Sequence, residues 1–262
     1  MGGTSNFSVE LKLAVESARV AGEILRKEQA QGSEVKSEIG RDIKLAADVH
    51  AEAAILSRLR AGSTYPILSE EAGADVNFDS EGLRWVVDPL DGTYNFSRRW
   101  PICCVSIGLC CGNTPVLGVI YDFLGDVSYE GVVGQGAWRN GEPMRVSSIS
   151  EPERAMALTG FPAGSVFGRD SLMGFVTQLQ RYKKVRLLGS SALSLAWVAC
   201  GLADLYHEDG INFWDVAAGL ALVKAAGGDF VTRPGERVFQ LEVFASNGRI
   251  AGKLGDQSDL ID

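Results

Sequence analysis

Histidine is scarce in this chain: there are two, and neither stands close to any of the five cysteines. No C-x-x-C pair occurs; Cys103-Cys104 and Cys110-Cys111 are vicinal and Cys200 stands alone. That spacing argues against a zinc site, and an odd number of thiols does not read as a disulfide framework. Buried free thiols in a reducing compartment are the reading that remains. Basic residues are also in deficit, 25 Lys and Arg against 33 Asp and Glu, for a net charge of −8. Such a chain gains nothing from a phosphate backbone, so no nucleic-acid polymer is expected as a partner. A small anionic substrate needs a local source of positive charge, which acids holding metal cations would supply. Long apolar runs are missing too. The longest, from Ala192 to Tyr206, is broken by Asp204 and too short for a bilayer. The opening "MGGTSNFSVELKLAVESA" has early acids and no apolar core, and Asn6 breaks the myristoylation pattern. The expected location is therefore cytoplasmic, with no membrane association. Internal repeats, low-complexity tracts and a separable linker are all absent.

What is present reads as alternating elements. Residues 8–28 carry Leu11, Val15, Ala18 and Leu25 on one stripe, which predicts a helix. The polar segment 29–42 reads as a loop, with Asp42 capping a second helix that runs to about Leu59 and stops at Gly62. "YPIL" (65–68) and "RWVVD" (84–88) read as strands around a polar loop at 72–83. "ICCVSIGLCC", "PVLGVIYDF", "DVSYEGVV" and "GAWRNGEPMRVS" then predict an antiparallel meander of roughly five strands, with Asn140-Gly141 a strong turn. Beyond it, helices are expected at about 169–181, 191–201 and 213–228, with strands at 184–189, 203–208, "DFVT" and "EVFASN". Helices grouped around antiparallel sheets give an α+β layered architecture. The chain reads as a single catalytic unit, 1–147 forming one half and 148–262 the other.

Acids stand where apolar strands end. In "WVVDPLDGTYNF", Asp88 closes a strand, Pro89 fixes the turn, and Asp91 follows three residues on. A helical turn starting at Gly92-Thr93 would point Asp88 and Asp91 into one space and leave the Gly92 and Thr93 amides open to phosphate. Glu70 follows "YPIL", Asp215 sits in the first turn after "INFW", and Asp48 lies on the apolar second helix. Each has an ordinary alternative: a capping Asp in a tight turn for Asp88 and Asp91, a cap for Glu70, a favourable helix-start charge for Asp215, a solvated helix face for Asp48. Taken together, strand-end carboxylates with few histidines fit hard, oxygen-ligated cations such as Mg²⁺.

"WVVDPLDGTYNF" resembles the W-x-[IV]-D-P-[IL]-D-G-T-x-N-F motif of the inositol monophosphatase family. "INFWDVAAGLALVKAAGG" resembles that family's W-D-x-A-A-G helix, and "LSEEAG" its G-E-E element, in the same order and spacing over nearly the whole chain. The resemblance implies an α-β-α-β-α layered sandwich, commonly homodimeric, and a Mg²⁺-dependent, Li⁺-sensitive phosphomonoesterase. It implies that Glu70, Asp88 and the Leu90 carbonyl hold one ion. Asp88, Asp91 and Asp215 would hold a second, and Glu70 would help hold a weaker third. Thr93, paired with Asp48, would position and deprotonate the attacking water with no covalent intermediate. Gly92 and Thr93 would hold phosphate. Gly189, Ser190, Ser191 and Glu208 would face a phosphorylated polyol or sugar, with Asp91 touching a hydroxyl beside the ester. Ser190 and Ser191 also suit a helix N-cap.

The departures from the family pattern are Ser69 for the usual Gly, Lys44 for a small polar residue, one extra loop residue before it, and Arg98 for the usual His. Arg98, Arg99 and Lys44 favour a more anionic substrate or are solvated charges. The expected reaction is hydrolysis of inositol-1-phosphate. Fructose-1,6-bisphosphatase, 3′(2′),5′-bisphosphate nucleotidase and histidinol-phosphatase activities are the alternatives within the family. A haloacid-dehalogenase phosphatase fits poorly, because two residues separate the acids and Gly-Thr follows in the wrong register. A non-catalytic scaffold would be expected to have lost site residues, and Glu70, Asp88, Asp91, Asp215, Asp48 and Thr93 are all present.

Overall fold

The computed structural model describes residues 6–39, 42–74, 81–161 and 168–251. Helix α1 (Ser8–Gln31) buries Ala14, Ala18, Ala21 and Leu25 along one stripe, as its periodicity requires. A hairpin of β1 (Val35–Ile39) and β2 (Asp42–Leu45) follows, where the sequence reading has a loop and a capping Asp42. Asp42 caps nothing. Helix α2 (Ala46–Gly62) begins four residues later, and it is Asp48 in its first turn that accepts the Leu45 N–H at 2.7 Å. Next come β3 (Ile67–Ser69), β4 (Gly73–Ala74), β5 (Leu83–Asp91) and the one-turn α3 (Thr93–Ser97). The meander is β6 (Cys104–Cys111), β7 (Thr114–Asp122), β8 (Val127–Val132), β9 (Gly136–Arg139) and β10 (Glu142–Pro143). The second half comprises β11 (Met156–Thr159), α4 (Arg169–Leu179), β12 (Lys184–Leu187), α5 (Ser191–Ala199), β13 (Leu205–Asn212), α6 (Phe213–Ala225), β14 (Asp229–Pro234) and β15 (Gln240–Ser246).

Two sheets carry the fold. The larger has eight strands in the order β10-β9-β8-β7-β6-β5-β3-β4, the smaller five in the order β12-β11-β13-β15-β14. Neither is purely antiparallel as the sequence reading expects: β3 runs parallel to β5, and β11 runs parallel to both β12 and β13. In the small sheet α4 and α5 return the chain and so allow parallel neighbours, whereas between β3 and β5 the chain passes through β4. The crossovers β11-α4-β12 and β12-α5-β13 travel in opposite directions along the sheet. Right-handed connections therefore place α4 and α5 on opposite faces.

Side-chain alternation assigns the layers. Trp85, Val87, Ile107, Leu109, Val119 and Tyr121 face α1 and α2 and share one core with them. Their neighbours in sequence, Val86, Cys110 and Ile120, face the other way, toward α5 and α6. Beneath those helices lies the inner face of the small sheet, with Tyr206, Val243 and Ala245. Its outer face holds Ala157, Leu205 and Phe244. The result is an α+β layered sandwich. Three of the five cysteines are buried free thiols as expected, whereas Cys111 is exposed and Cys200 half-buried.

A row of glycines sets how closely α6 approaches the large sheet. Gly108, Gly118 and Gly131 are direct cross-strand partners on β6, β7 and β8. A Cβ on Gly118 would stand 2.1 Å from the Ala218 carbonyl oxygen, and one on Gly108 would stand 3.1 Å from the Ala218 N. On Gly131 it would meet Leu222 at 2.9 Å. The helix backbone thus lies almost on the sheet backbone, and the first turn of that helix bears Asp215. Adding one methyl here overpacks a backbone contact with no side chain able to move aside. Gly118→Ala is expected to lower the melting temperature by about 2–6 °C, from a cost of about 1–3 kcal/mol. Calorimetry of the two proteins checks this; an unchanged melting temperature would show that the helix has room to retreat.

Candidate active site

Strand β5 leads the apolar run Trp85-Val86-Val87 directly into the site. Asp88 pairs in register with Ser106 on β6, and Asp91 with Cys104. Between these pairs two residues on β5, Pro89 and Leu90, oppose one on β6, Val105, which is a β-bulge. The extra residue brings Asp88 and Asp91 out on the same face of the sheet, the face covered by α6. The sequence reading obtains that shared face from a helical turn; the structure obtains it from the bulge. Gly92 then turns the chain in the left-handed region, φ 86°, and a Cβ there would stand 2.7 Å from the Ile102 carbonyl oxygen. Both facts demand glycine.

Three carboxylates converge beside the bulge. One oxygen from each of Glu70, Asp88 and Asp215 lies within 4.8 Å of the others. Glu70 follows β3 and is tied to β5 by its N–H, 3.1 Å from the Val87 carbonyl oxygen. Asp215 lies in the first turn of α6 and accepts the Asn212 N–H at 3.1 Å. Asp88 is buried and accepts the Leu90 N–H at 3.0 Å. Next to this cluster, the Thr93 hydroxyl lies 3.1 Å from Asp48 Oδ1 and 2.9 Å from the Leu90 carbonyl oxygen. One hydroxyl proton serves both acceptors.

Asp91 is not part of the three-oxygen group. Its carboxylate faces the N-terminus of α5, where it accepts the Ser190 hydroxyl at 2.5 Å, the Ala192 N–H at 2.8 Å and the Ser191 N–H at 3.3 Å. Ser190 is also the N-cap of α5, its oxygen accepting the Leu193 N–H at 3.3 Å. A cap and a charge on a helix N-terminus coincide here with one of the proposed site acids. Glu208 is buried on β13 and accepts the Tyr206 hydroxyl at 2.8 Å. Gly189 has φ 70° and packs against Asn95.

Asn95 is a residue the sequence reading leaves without a role. Its Nδ2 reaches the carbonyl oxygens of Ile102 and Leu188, both at 2.8 Å, and of Gly189 at 3.2 Å. It pins α3 to the segment that opens α5, so the Asp88–Thr93 motif and the Gly189–Ser191 segment keep a fixed separation. The only signal in the sequence is its place in "DGTYNF". Tyr94, Arg98, Arg99 and Trp100 are exposed, whereas Lys44 is engaged by Glu71 at 2.8 Å.

Electrostatics identify what these residues can hold. Burial and then like charge raise the carboxyls of Glu70, Asp88 and Asp215, with Glu70 pushed up to about 8, and burial raises Asp91 against the hydrogen bonds from Ser190, Ala192 and Ser191 that lower it. Burial lifts Asp48 to about 6 and Glu208 to about 7. Bare, such a cluster holds protons. Asp88 is buried and Glu70 and Asp215 are half-buried, so ionising all three together without countercharge is unfavourable. The donors are all oxygens, which suits hard divalent cations and not zinc or copper. Ser106, in register with Asp88, adds a buried hydroxyl with no hydrogen-bond partner among the described residues. The residues fit a hydrated divalent cation.

A layered α+β fold with an oxygen-only carboxylate cluster beside a hydroxyl–carboxylate pair defines the class as a phosphoric monoester hydrolase. The chain belongs to the inositol monophosphatase family, whose model matches residues 8–259. It is 38% identical to inositol monophosphatase 3 of Solanum lycopersicum, over 94% of this chain and 95% of that protein. Among solved structures it resembles an inositol monophosphatase from Anabaena (Nostoc) sp. PCC 7120, at 36% identity, covering 94% of this chain and 93% of the other with a TM-score of 0.79. It also resembles an inositol monophosphate-bound structure of SaIMPase-II, at 25% identity, covering 91% of this chain and 89% of the other with a TM-score of 0.75.

The raised carboxyls give a signed pH dependence. A group whose folded pKa exceeds its ordinary value binds its proton more tightly when folded. Its stabilisation is complete below the ordinary carboxylate range and is lost as pH rises through the folded value. With chelator present, the melting temperature is expected to fall as pH rises from the ordinary carboxylate range toward the value of about 8 at Glu70. Saturating Mg²⁺ is expected to reverse most of that fall, by mass action on the ionised cluster. Scanning calorimetry across that range checks both limbs; a flat metal-free profile would contradict the buried cluster.

Proposed function

We propose that this chain is a Mg²⁺-dependent phosphomonoesterase acting on a small phosphorylated polyol, with inositol-1-phosphate the leading candidate. One observation carries the reading: Glu70, Asp88 and Asp215 converge within 4.8 Å, next to a Thr93 hydroxyl held by Asp48. Two or three ions would be held by Glu70, Asp88, the Leu90 carbonyl, Asp91 and Asp215. Asp91 keeps acceptor capacity for this, since its Oδ1 makes a single long contact in the structure. When bound, the ions supply Lewis acidity, offsetting charge on the phosphoryl oxygens and the leaving oxygen and making water a better nucleophile.

The chain's own residues do the rest. Thr93 orients the attacking water and Asp48 receives its proton. At about 6, the Asp48 pKa makes it a stronger base than an ordinary carboxylate while leaving it mostly ionised near neutral pH. Water oxygen bonds to phosphorus, the ester P–O bond breaks, and the leaving alkoxide takes a proton from solvent. The N–H groups at the start of α3, Gly92 and Thr93, lie where intrahelical acceptors are lacking and would hold the phosphate. Glu208, Ser190, Ser191 and Gly189 would meet the polyol hydroxyls. Because Asp91 binds the start of α5, the two halves of the chain act as a single catalytic unit.

A monophosphate is favoured over a bisphosphate because Lys44 is already neutralised by Glu71 and Arg98 and Arg99 point to solvent. Li⁺ inhibition, a homodimer and a cytoplasmic location complete the proposal. Among the described residues no helix is long and apolar enough to cross a membrane.

Phosphate release from inositol, fructose, nucleotide and histidinol phosphates, compared as kcat/KM with Mg²⁺, tests the reading. Inositol-1-phosphate is expected to lead, and absence of Mg²⁺-dependent release from every ester would refute it. Asp88→Asn should fold normally and lose more than about 100-fold in activity, beyond the loss of a mere supporting partner. Thr93→Val should lose about 10²–10⁴-fold in kcat while metal binding persists.

A further inference from the structure

Glu52 is a second buried acid on α2, four residues after Asp48 and therefore on the same helix face. It ligates nothing in the reading above, and the sequence reading does not single it out. Its Oε1 takes three donors: the Ser69 hydroxyl, the Glu71 N–H at 3.2 Å and the Ala72 N–H at 3.0 Å. Those donors bracket Glu70 on both sides. The Glu70 N–H itself bonds to β5, 3.1 Å from the Val87 oxygen. The turn that carries Glu70 is thus held at every residue from Ser69 to Ala72, three of its four tethers ending on one oxygen of Glu52.

We propose that Glu52 is the positioning residue for Glu70, and that α2 acts as a ruler between the water-orienting group and the cation site. One turn of helix separates Asp48, which binds Thr93, from Glu52, which binds the Glu70 turn. The helix therefore fixes the distance between the base and the carboxylate cluster. A buried carboxylate with three hydrogen bonds gives a stiff anchor, because each bond to an ionised acceptor exceeds an ordinary one in strength. Removing the acceptor would leave Ser69 Oγ buried without its partner and release the Glu71 and Ala72 N–H groups, and the turn would be free to shift. Supporting partners of metal ligands typically change metal affinity by about 10–100-fold.

The proposal rests on the reading of Glu70 as a cation ligand, and the experiment separates the two. Mn²⁺ binding is titrated calorimetrically on the full chain for the wild type, Glu52→Gln, Glu52→Met and Ser69→Ala, alongside metal-free melting temperatures. Wild type is expected to bind Mn²⁺; if it does not, the functional reading fails, and this inference with it. Given wild-type binding, Glu52→Met should weaken Mn²⁺ affinity by about 10–100-fold. Glu52→Gln, which keeps an oxygen acceptor at the same place, should stay within about 3-fold. Ser69→Ala should fall between them. Equal affinity in wild type and Glu52→Met overturns the proposal, as does a Glu52→Gln variant as weak as Glu52→Met. If Glu52→Met does not fold, Ser69→Ala decides: affinity reduced at an unchanged metal-free melting temperature supports the positioning role, and wild-type affinity refutes it. At saturating Mn²⁺ the folded variants should keep the wild-type substrate KM, which a general loosening of the fold would not leave intact.

Discussion

Repulsion among closely packed carboxylates is the constraint around which this molecule is arranged. Glu70, Asp88 and Asp215 meet within 4.8 Å, and Asp91 is buried close by. Ionised and unaided, such a group would cost more than the few kcal/mol by which a domain is stable. The fold tolerates it only by supplying protons, or a cation, at that point. Other features at the site keep the acids from drifting apart to relieve the strain: the bulge that turns Asp91 onto the Asp88 face, the glycine row that presses α6 onto the sheet, and the N-terminus of α5 that binds Asp91. The same energy that disfavours the bare cluster favours the loaded one, which links folding and metal affinity.

The acids come from four elements, which belong to both halves of the chain. Asp88 and Asp91 lie on β5, Glu70 follows β3, Asp215 is in the first turn of α6 and Asp48 in the first turn of α2. Parallel pairing of β3 with β5, Ser69 opposite Val87, sets Glu70 level with Asp88. Close seating of α6 through Gly118 sets Asp215 opposite them. Asn95 then locks α3 to the residues before α5. A site assembled this way depends on the whole sandwich for its distances, and its precision comes from backbone-to-backbone contacts more than from long side chains.

Much of this was legible in the sequence, for a physical reason. An apolar strand that runs into an unpartnered acid, as "WVVD" does, signals a compensating charge, and the W-D-x-A-A-G helix announces Asp215. The helices and the meander were legible too, because periodicity and turn chemistry are local. What escaped was set by register and by tertiary neighbours. The bulge at Pro89-Leu90 exists only relative to β6. The hairpin at 35–45 has too little apolar alternation to be seen, so Asp42 looked like a cap when the capping acid is Asp48. The parallel strand pairs depend on where the chain returns to each sheet. Glu52 and Asn95 read as an ordinary helix acid and a turn residue; only the donors and acceptors that surround them give them work. Tyr94 is exposed, and nothing in the structure assigns it a role.

The central claim is that these carboxylates form one cation site. Its most direct test is a crystal structure of the full chain grown with Mn²⁺, with anomalous differences collected at the manganese edge. The account predicts an ion in contact with carboxylate oxygens of Glu70 and Asp88, with Asp215 on a neighbouring ion or the same one, at oxygen–cation distances of about 2.0–2.6 Å. Anomalous density elsewhere, or none at these residues in crystals that hold Mn²⁺ in solution, would contradict it.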